Sequence, residues 1–318
     1  MLSKEATAEI GGHSPRELAW RRFKSNKVAI PAMVTVIFLI LVVLFAPLIY
    51  AVLGIDPDQR FDNLMDSRGT VIGAFSGMSP AHPLGIVPGI GYDLLARLLF
   101  GARISFMIAL ISTIITVAVG LLVGMLGGYF RGKLDGFLGR VVDFLLAFPS
   151  FFMIIALSAP MIQRIEQSGI AHDNDARILY LITILAFFGW PYLSRIIRSQ
   201  VLSIRERDFV LSARALGASQ ARIIFKEVLP NIWTPIIVYM SLALPGYLTA
   251  EAIFSYLGIG VQPPTPTLGL LIADSIKFMM NNPTYFYIPS LFLILVVLSF
   301  NLLGDSIRDA LDPKSEAN

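Results

Sequence analysis

The chain has 318 residues, of which 55% are hydrophobic and 15% charged, with a formal net charge of +3. Soluble domains average about 25% charged residues, and here the apolar residues form runs long enough to cross a bilayer core of roughly 30 Å as helices. These values exclude a soluble enzyme and predict an all-α integral membrane protein. The absence of cysteine excludes disulfides and Cys-based metal sites. The three histidines are far apart in sequence, so no metal site is predicted.

Residues 1–27 are polar and basic, which predicts a cytoplasmic N-terminal amphipathic segment rather than a cleavable signal. Ser14 is a suitable N-cap, and Glu17 completes a capping box with it. This segment either lies at the membrane interface or is a solvated lead-in. The apolar run that follows predicts the first transmembrane helix over residues 28–50.

A polar region over residues 51–103 predicts an external loop. Its last part, residues 92–103, has the pattern of an amphipathic helix lying at the interface. Four aspartates in the loop lack the spacing of an EF-hand, so a solvated loop is favoured over a calcium site. They are Asp56, Asp58, Asp62 and Asp66.

Residues 104–305 predict a five-helix core, and residues 306–318 a cytoplasmic tail. The core spans are predicted over residues 104–126, 141–162, 178–197, 232–256 and 285–303. Between the fourth and fifth spans of the whole chain lies a basic cytoplasmic loop over residues 205–230. Asp143, near the start of the third span, is expected to pair with Arg140, three residues before it on the same helix face.

The orientation follows from the basic residues. If the N-terminus is inside, 18 of the 25 Lys and Arg residues fall in inner segments and 7 in outer ones. Basic residues accumulate on the cytoplasmic side of membrane proteins. The sequence therefore predicts six transmembrane helices with both termini in the cytoplasm.

The stretch from Asp208 to Asn231 predicts a helix, a glycine turn and a second helix. In the first helix, Phe209, Val210, Ala213 and Leu216 recur at helical spacing. Gly217 is well placed to end that helix, because glycine adopts the left-handed C′ conformation without penalty. Ser219 is the expected cap of the second helix, and Pro230 its expected end. Such an ordered loop is suited to docking against another protein.

This stretch resembles the E-A-A loop of ABC importer permeases. Ala213, Gly217, Leu229 and Pro230 match that pattern at the right spacing, whereas Leu211, Ser212 and Glu227 depart from it. Further motifs resemble the C-type subunit of the oligopeptide/dipeptide branch. They are Trp20-Arg21-Arg22-Phe23, HPLG (82–85), GARIS (101–105), GYF (128–130), YLGIGVQPP (256–264) and DALDP (309–313). The segment HPLGIVPGIGYD is one residue longer than the family pattern, so detailed contacts of the external loop are not carried over.

The resemblance implies a type I ABC importer permease fold in a bacterial cytoplasmic (inner) membrane. It implies a permease for oligopeptides or dipeptides that works with a homologous permease, two ABC ATPase subunits and an extracytoplasmic solute-binding protein. It also implies that the cytoplasmic loop couples to the ATPases. The coupling residues would be Asp208, Phe209, Ala213, Arg214, Ala215, Leu216, Gly217, Ala218, Leu229 and Pro230.

The sequence contains no complete GxxxxGK[ST] phosphate-binding loop. We therefore expect no catalytic residue and no cofactor on this chain, with ATP and magnesium bound by the partner ATPases. The basic residues of the loop fit acidic lipid headgroups and an ATPase surface better than nucleic acid.

Glu251 lies within a predicted span, where an ionisable group is costly and indicates a functional site by default. It either contacts the solute pathway or makes a structural hydrogen bond. The branch often has E-A-x-x-S-F-L-G at residues 251–258 whatever solute is carried, which favours the structural role. Alternative functions are an ABC permease for nickel or sugar oligomers, a stand-alone secondary transporter or channel, and, with least support, an intramembrane enzyme.

Overall fold

The computed structural model describes residues 15–56 and 59–311. The predicted cap Ser14, the loop residue Asp58 and the tail beyond residue 311 lie outside the described residues. The described part is almost entirely helical. Its helices are α1 (Pro15–Ser25), α2 (Ala29–Leu44), α3 (Ala46–Leu53), α4 (Leu94–Phe130), α5 (Gly132–Ala147), α6 (Ser150–Gln167), α7 (Asp173–Ile204), α8 (Asp208–Ala215), α9 (Gln220–Tyr256), α10 (Leu268–Ser275) and α11 (Pro283–Leu311).

Four of these helices, α4, α7, α9 and α11, are long and apolar enough to cross a membrane. Among the described residues the number reaches six if two bent helix pairs each count as one span. These pairs are α1 with α2, bent by 93°, and α5 with α6, bent by 85°. The protein is therefore a multi-pass membrane protein with four to six candidate spans.

Prolines break two of the predicted spans. The first predicted span divides between α2 and α3, where Pro47 occupies the first turn of the restarted helix. The third predicted span is broken between α5 and α6, where Phe148 has extended backbone angles (φ −78°, ψ 136°). Phe148 precedes Pro149, and steric contact with a following proline disfavours the helical conformation. The bend between α5 and α6 therefore has a local cause in the sequence.

Residues 94–103, expected to belong to a separate interfacial helix, form the first turns of α4. The side chain of Asp93 caps this helix by accepting a hydrogen bond from the Ala96 N–H at 3.0 Å. Leu94 and Leu98 are buried in a cluster with residues of α10 and α11. The apolar face of this segment thus packs on protein rather than on a membrane surface, and nothing interrupts the helix before residue 130.

The aspartates of the loop before α4 serve turns and caps. The Asp66 carboxylate accepts hydrogen bonds from the N–H groups of Arg68 at 2.9 Å and Thr70 at 2.8 Å, which closes a turn. Asp93 Oδ2 also lies 2.9 Å from His82 Nδ1. These contacts fold the loop back on the start of α4.

The helices α4 and α7 approach each other closely through glycines four residues apart. A Cβ built on Gly124 would lie 2.6 Å from the Ser194 carbonyl oxygen, and one on Gly128 would lie 2.8 Å from Val201 Cβ. Small residues at this spacing let helix backbones come together in membranes. The ends of α4 and α7 are therefore held side by side, and the loop after α7 rests on them.

Candidate functional site

The helix α8 ends in a hydrogen-bonded glycine turn, as the sequence predicts. The Gly217 N–H donates to the Arg214 carbonyl and the Ala218 N–H donates to the Ala213 carbonyl, both at 3.0 Å. This pair of bonds is the Schellman arrangement, which satisfies carbonyls left free at a helix end. Gly217 has φ +80°, a conformation that costs other residues about 1–2 kcal/mol. The turn is therefore fixed by a residue that has no Cβ.

The second half of the loop begins with the predicted cap. The Ser219 hydroxyl accepts a hydrogen bond from the Arg222 N–H at 3.3 Å. The chain then passes through a π-helical turn (Ile223–Val228) and a 3-10 turn (Leu229–Ile232) before regular helix over Trp233–Tyr256. Pro230 was expected to end the helix, and that expectation is wrong. Pro230 stands in the first turn of the 3-10 segment, where a missing amide hydrogen costs little, so α9 continues into the next span.

One face of the loop is anchored in the protein. Val210, Ile223 and Val228 are buried, and they belong to one apolar cluster with Ile197 and Val201 of α7. Ala213, Ala218 and Leu229 are partly buried against the same cluster. The loop is therefore packed onto the spans, and a displacement of α8 would be transmitted to α7.

The opposite face of the loop is exposed and carries large apolar side chains. Leu216 is 88% exposed, and Phe209 and Leu211 are also exposed. Phe225 is exposed too, but it lines a cavity with Leu122 and Met125 and so lies beside α4. Clustered exposed apolar side chains indicate a contact surface for another molecule. Of the four residues that recur at helical spacing, Val210 and Ala213 pack against the spans. Phe209 and Leu216 are exposed on the opposite face of the loop.

The remaining predicted coupling residues lie on or beside the outward face. They are exposed or lie at the loop's ends: Asp208, Arg214, Ala215, Gly217 and Pro230. Asp208 stands in the first turn of α8 and Arg214 in its last turn. An acid at the start and a base at the end of a helix complement the helix dipole.

Ion pairs fix the segments that surround the loop. Arg198 of α7 binds Asp135 of α5 through two parallel hydrogen bonds, Nε to Oδ1 at 2.5 Å and Nη2 to Oδ2 at 2.8 Å. The Arg205 guanidinium donates to the carbonyl oxygens of Gly128 and Tyr129 at the end of α4.

Asp143 was expected to pair with Arg140, but its partner in the structure is Arg195 of α7. The three-residue spacing of Arg140 and Asp143 favoured a pair on one helix. The packing of α7 against α5 instead brings the Arg195 guanidinium to the Asp143 carboxylate.

Glu251 is fully buried in α9 and hydrogen-bonded on both carboxylate oxygens. Ser105 Oγ of α4 donates to Oε2 at 2.7 Å, and Ser255 Oγ donates to Oε1 at 2.6 Å. Ser105 Oγ also accepts from the Leu268 N–H at the start of α10, at 3.1 Å. The carboxylate thus stands at a junction of three helices.

Some features of the site were missed from the sequence. The glycine contacts between α4 and α7 had a visible signal, because Gly120, Gly124 and Gly128 repeat every four residues within an apolar span. The pair of Asp135 and Arg198 had none, since its members are 63 residues apart. Both contacts hold in place the helix ends on which the loop packs.

The apolar spans and the ordered loop between α7 and α9 are those of a multi-pass membrane protein, and comparison with known families shows that it is a membrane transport subunit. The family described as "Binding-protein-dependent transport system inner membrane component" matches residues 120–316. The chain belongs to this family. Residues 14–66 also match the N-terminal transmembrane domain of oligopeptide transport permease C.

Named relatives align over nearly the whole chain. The oligopeptide transport system permease protein OppC of Mycobacterium bovis is 36% identical over 304 residues, covering 96% of each chain. The dipeptide transport system permease protein DppC of Alkalihalophilus pseudofirmus is 32% identical, covering 96% of this chain and 91% of the relative. The glutathione transport system permease protein GsiD of Escherichia coli is 36% identical, with 93% and 89% covered.

The fold also resembles that of a solved transporter. A chain of the MetNI methionine ABC transporter in an inward-facing conformation superposes with a TM-score of 0.54 at 20% sequence identity. The match covers 68% of this chain and 96% of that chain. At this identity the likeness concerns the fold alone, and it supports an ABC importer permease architecture.

Proposed function

We propose that this chain is a permease subunit of an ATP-driven importer that takes up oligopeptides or dipeptides delivered by an extracytoplasmic solute-binding protein. It pairs with a homologous permease, and the two together form the translocation pathway. Two cytoplasmic ABC ATPases bind ATP and magnesium and supply the energy. The names of relatives that are 32–36% identical support the peptide substrate.

The observation that carries the proposal is the two-sided loop from Asp208 to Pro230. Its inner face is packed on α7 through Val210 and Ile223, and its outer face exposes Phe209 and Leu216. A loop that was only a connector would not need a buried face and an exposed apolar face. These two faces fit a rigid lever that rests on the spans and docks into a groove of an ATPase.

The lever explains how ATP hydrolysis is coupled to transport. Closure of the two ATPases moves α8, and the movement passes to α7 through the buried contacts of Val210. It also passes to the end of α4 through the hydrogen bonds of Arg205. The spans then alternate between inward-open and outward-open arrangements, each stabilised by different contacts.

Membrane placement follows from the same proposal. The chain crosses the bacterial cytoplasmic membrane six times, through α2 with α3, through the bent pair of α5 and α6, and through α4, α7, α9 and α11. The polar helix α1 and both termini are cytoplasmic. The excess of basic residues in the inner segments supports this orientation. Glu251 has a structural role, supported by its complete burial and its two serine donors.

The proposal is tested by isolation and reconstitution of the intact complex. A tagged chain, purified in mild detergent from its native membrane, should retain a second permease and two ATPase subunits. In liposomes this complex should accumulate labelled di- to pentapeptides only when ATP is inside and the binding protein is outside. The isolated chain should not hydrolyse ATP. Solute accumulation by the chain alone would instead indicate a secondary transporter or a channel.

A further inference from the structure

Two cavities lie end to end along α7 and α9. The first has a volume of about 520 Å³ and is lined by residues of α6, α7 and α9. The second has a volume of about 610 Å³ and extends along α7 and α9 to the last turns of α11. Tyr192, Tyr239 and Leu242 line both. The two cavities therefore share a wall and follow one line through the helix bundle.

The first cavity is aromatic. Among the described residues that line it, none is charged, and six are Phe or Tyr: Phe151, Phe188, Tyr192, Tyr239, Tyr247 and Phe254. The Tyr239 hydroxyl donates to the Gly189 carbonyl at 3.3 Å, and the Tyr247 hydroxyl lies 2.8 Å from Thr116 Oγ1. Two of the rings are therefore held in place, whereas the side chain of Tyr192 is accessible, with the residue 59% exposed.

The second cavity is more polar than the first, although apolar residues also line it. Its lining includes Gln200, Asn231, Thr234 and Arg308. Gln200, Asn231 and Arg308 lie beyond the ends of the predicted spans, on the side that the basic residues place in the cytoplasm. The second cavity therefore opens toward the cytoplasm in the proposed orientation, and the wall that it shares with the first cavity offers the aromatic residues a path to water on that side.

The boundary between the cavities is a pair of tyrosines on two different helices. The ring centroids of Tyr192 and Tyr239 are 6.4 Å apart, with 32° between the ring planes. A small relative shift of α7 and α9 would change this separation. Since α7 and α9 carry the anchored face of the loop, the pair stands where movement of the loop would alter the width of the passage.

We propose that these cavities form one wall of the peptide route, and that Tyr192 and Tyr239 form a constriction between an aromatic chamber and a polar exit. This inference rests on the proposed function. The ligand is a short peptide of mixed sequence. Ring faces pack against side chains of any kind, tyrosine hydroxyls offer hydrogen bonds to peptide groups, and the uncharged chamber does not trap a charged terminus.

Accessibility of single cysteines tests whether the chamber holds water. The chain has no native cysteine, so Tyr192→Cys and Tyr239→Cys provide unique thiols in the assembled transporter. Ile294→Cys is the matched control, because Ile294 lies in the middle of the last predicted span, outside both cavities, and is 57% exposed, close to the value for Tyr192. A charged, membrane-impermeant thiol reagent should modify the cavity positions about tenfold faster than the control, because lipid excludes charge. Equally slow modification at all three positions would overturn the proposal.

Transport by ring-deletion variants tests the constriction. Tyr192→Ala should lower ATP-dependent uptake of labelled tri- to pentapeptides about fivefold, the change expected from losing one aromatic contact. Tyr192→Phe, which keeps the ring, should retain most uptake. So should Tyr287→Ala, because Tyr287 of α11 lies outside both cavities. Unchanged uptake by Tyr192→Ala and by Tyr239→Ala would refute the constriction while leaving the proposed function intact. Absence of peptide uptake by the wild-type complex would instead refute the proposed function.

Discussion

At the scale of single residues, Glu251 shows how an ionisable side chain is accommodated within a membrane protein. Its two carboxylate oxygens accept hydrogen bonds from Ser105 and Ser255. Glu251→Gln keeps one carbonyl acceptor, so we expect most of the transport and assembly to remain. Glu251→Leu leaves the two buried hydroxyls without their acceptor, at about 1–3 kcal/mol for each unsatisfied group. Thermal unfolding of the purified complex measures the difference, and the Leu variant should unfold at lower temperature.

A different outcome would assign Glu251 to the solute pathway. If the Gln variant is fully assembled and as stable as the wild type, but prefers different peptides, the carboxylate contacts the solute. Competition between neutral and charged tripeptides in the uptake assay provides that comparison. Ser255→Ala, which removes one donor and keeps the carboxyl group of Glu251, is a suitable companion variant.

Arg198 is a second residue whose chemistry predicts a specific result. Its planar guanidinium makes two parallel hydrogen bonds to Asp135, and a lysine ammonium cannot reproduce that geometry. Arg198→Lys should therefore lower the midpoint of thermal unfolding, although the positive charge is kept. Arg195→Lys is the control, because Arg195 and its partner Asp143 are more exposed and contribute less. Equal midpoints for both variants would show that the bidentate pair has no special role.

At the scale of elements, the glycine turn after α8 sets the direction of the exposed apolar face that we propose docks on an ATPase. Gly217 has φ +80°, and a Cβ there would meet no other atom within 4 Å. Substitution therefore acts through backbone strain of about 1–2 kcal/mol rather than through a clash. Gly217→Val should insert normally in the membrane but recover less ATPase in a pull-down and transport little. Gly217→Ala should be milder, because alanine is not β-branched.

A matched glycine separates this local effect from general strain. Gly54 ends α3 with φ +65° and also has open space around it, but it lies far from the loop in sequence and outside the apolar cluster that anchors it. Gly54→Val should carry similar strain and leave ATPase recovery unchanged. If Gly217→Val recovers as much ATPase as the wild type at equal membrane levels, and uptake is normal, the coupling role at Gly217 is wrong.

How well each element could be predicted depends on how far apart in the sequence its interacting residues lie. The turn at Gly217 and the cap at Ser219 are local, so the sequence predicted both. The bend at Phe148 was also local, because Pro149 follows it, but the apolar run concealed the signal. The continuation of α4 through residues 94–103 could not be predicted from its pattern. An apolar stripe has the same sequence pattern whether lipid or the distant helices α10 and α11 cover it. The pair of Tyr192 and Tyr239 also could not be predicted, because it depends on tertiary packing.

At the scale of the whole molecule, α4 and α7 form a rigid pair on which the functional regions converge. The close contact of α4 and α7 through glycines fixes the helix ends on which the loop packs. Glu251 ties α4 to α9 at a second level, and the tyrosine pair joins α7 to α9. A displacement at the loop therefore reaches the cavities through packed helices, without requiring a flexible segment between them.

The orientation of this molecule in the membrane leads to the last prediction. The basic residues predict that the loop carrying Ser219 is cytoplasmic, whereas Ser67 and Ser168 belong to segments on the outer side. All three residues are exposed, and the chain has no native cysteine, so each serine replaced by cysteine gives one unique, accessible thiol. In intact cells an impermeant maleimide should label Ser67→Cys and Ser168→Cys, and it should label Ser219→Cys only after permeabilisation. Labelling of Ser219→Cys in intact cells would place the loop outside, where no ATPase could reach it, and both the orientation and the coupling role would then be untenable.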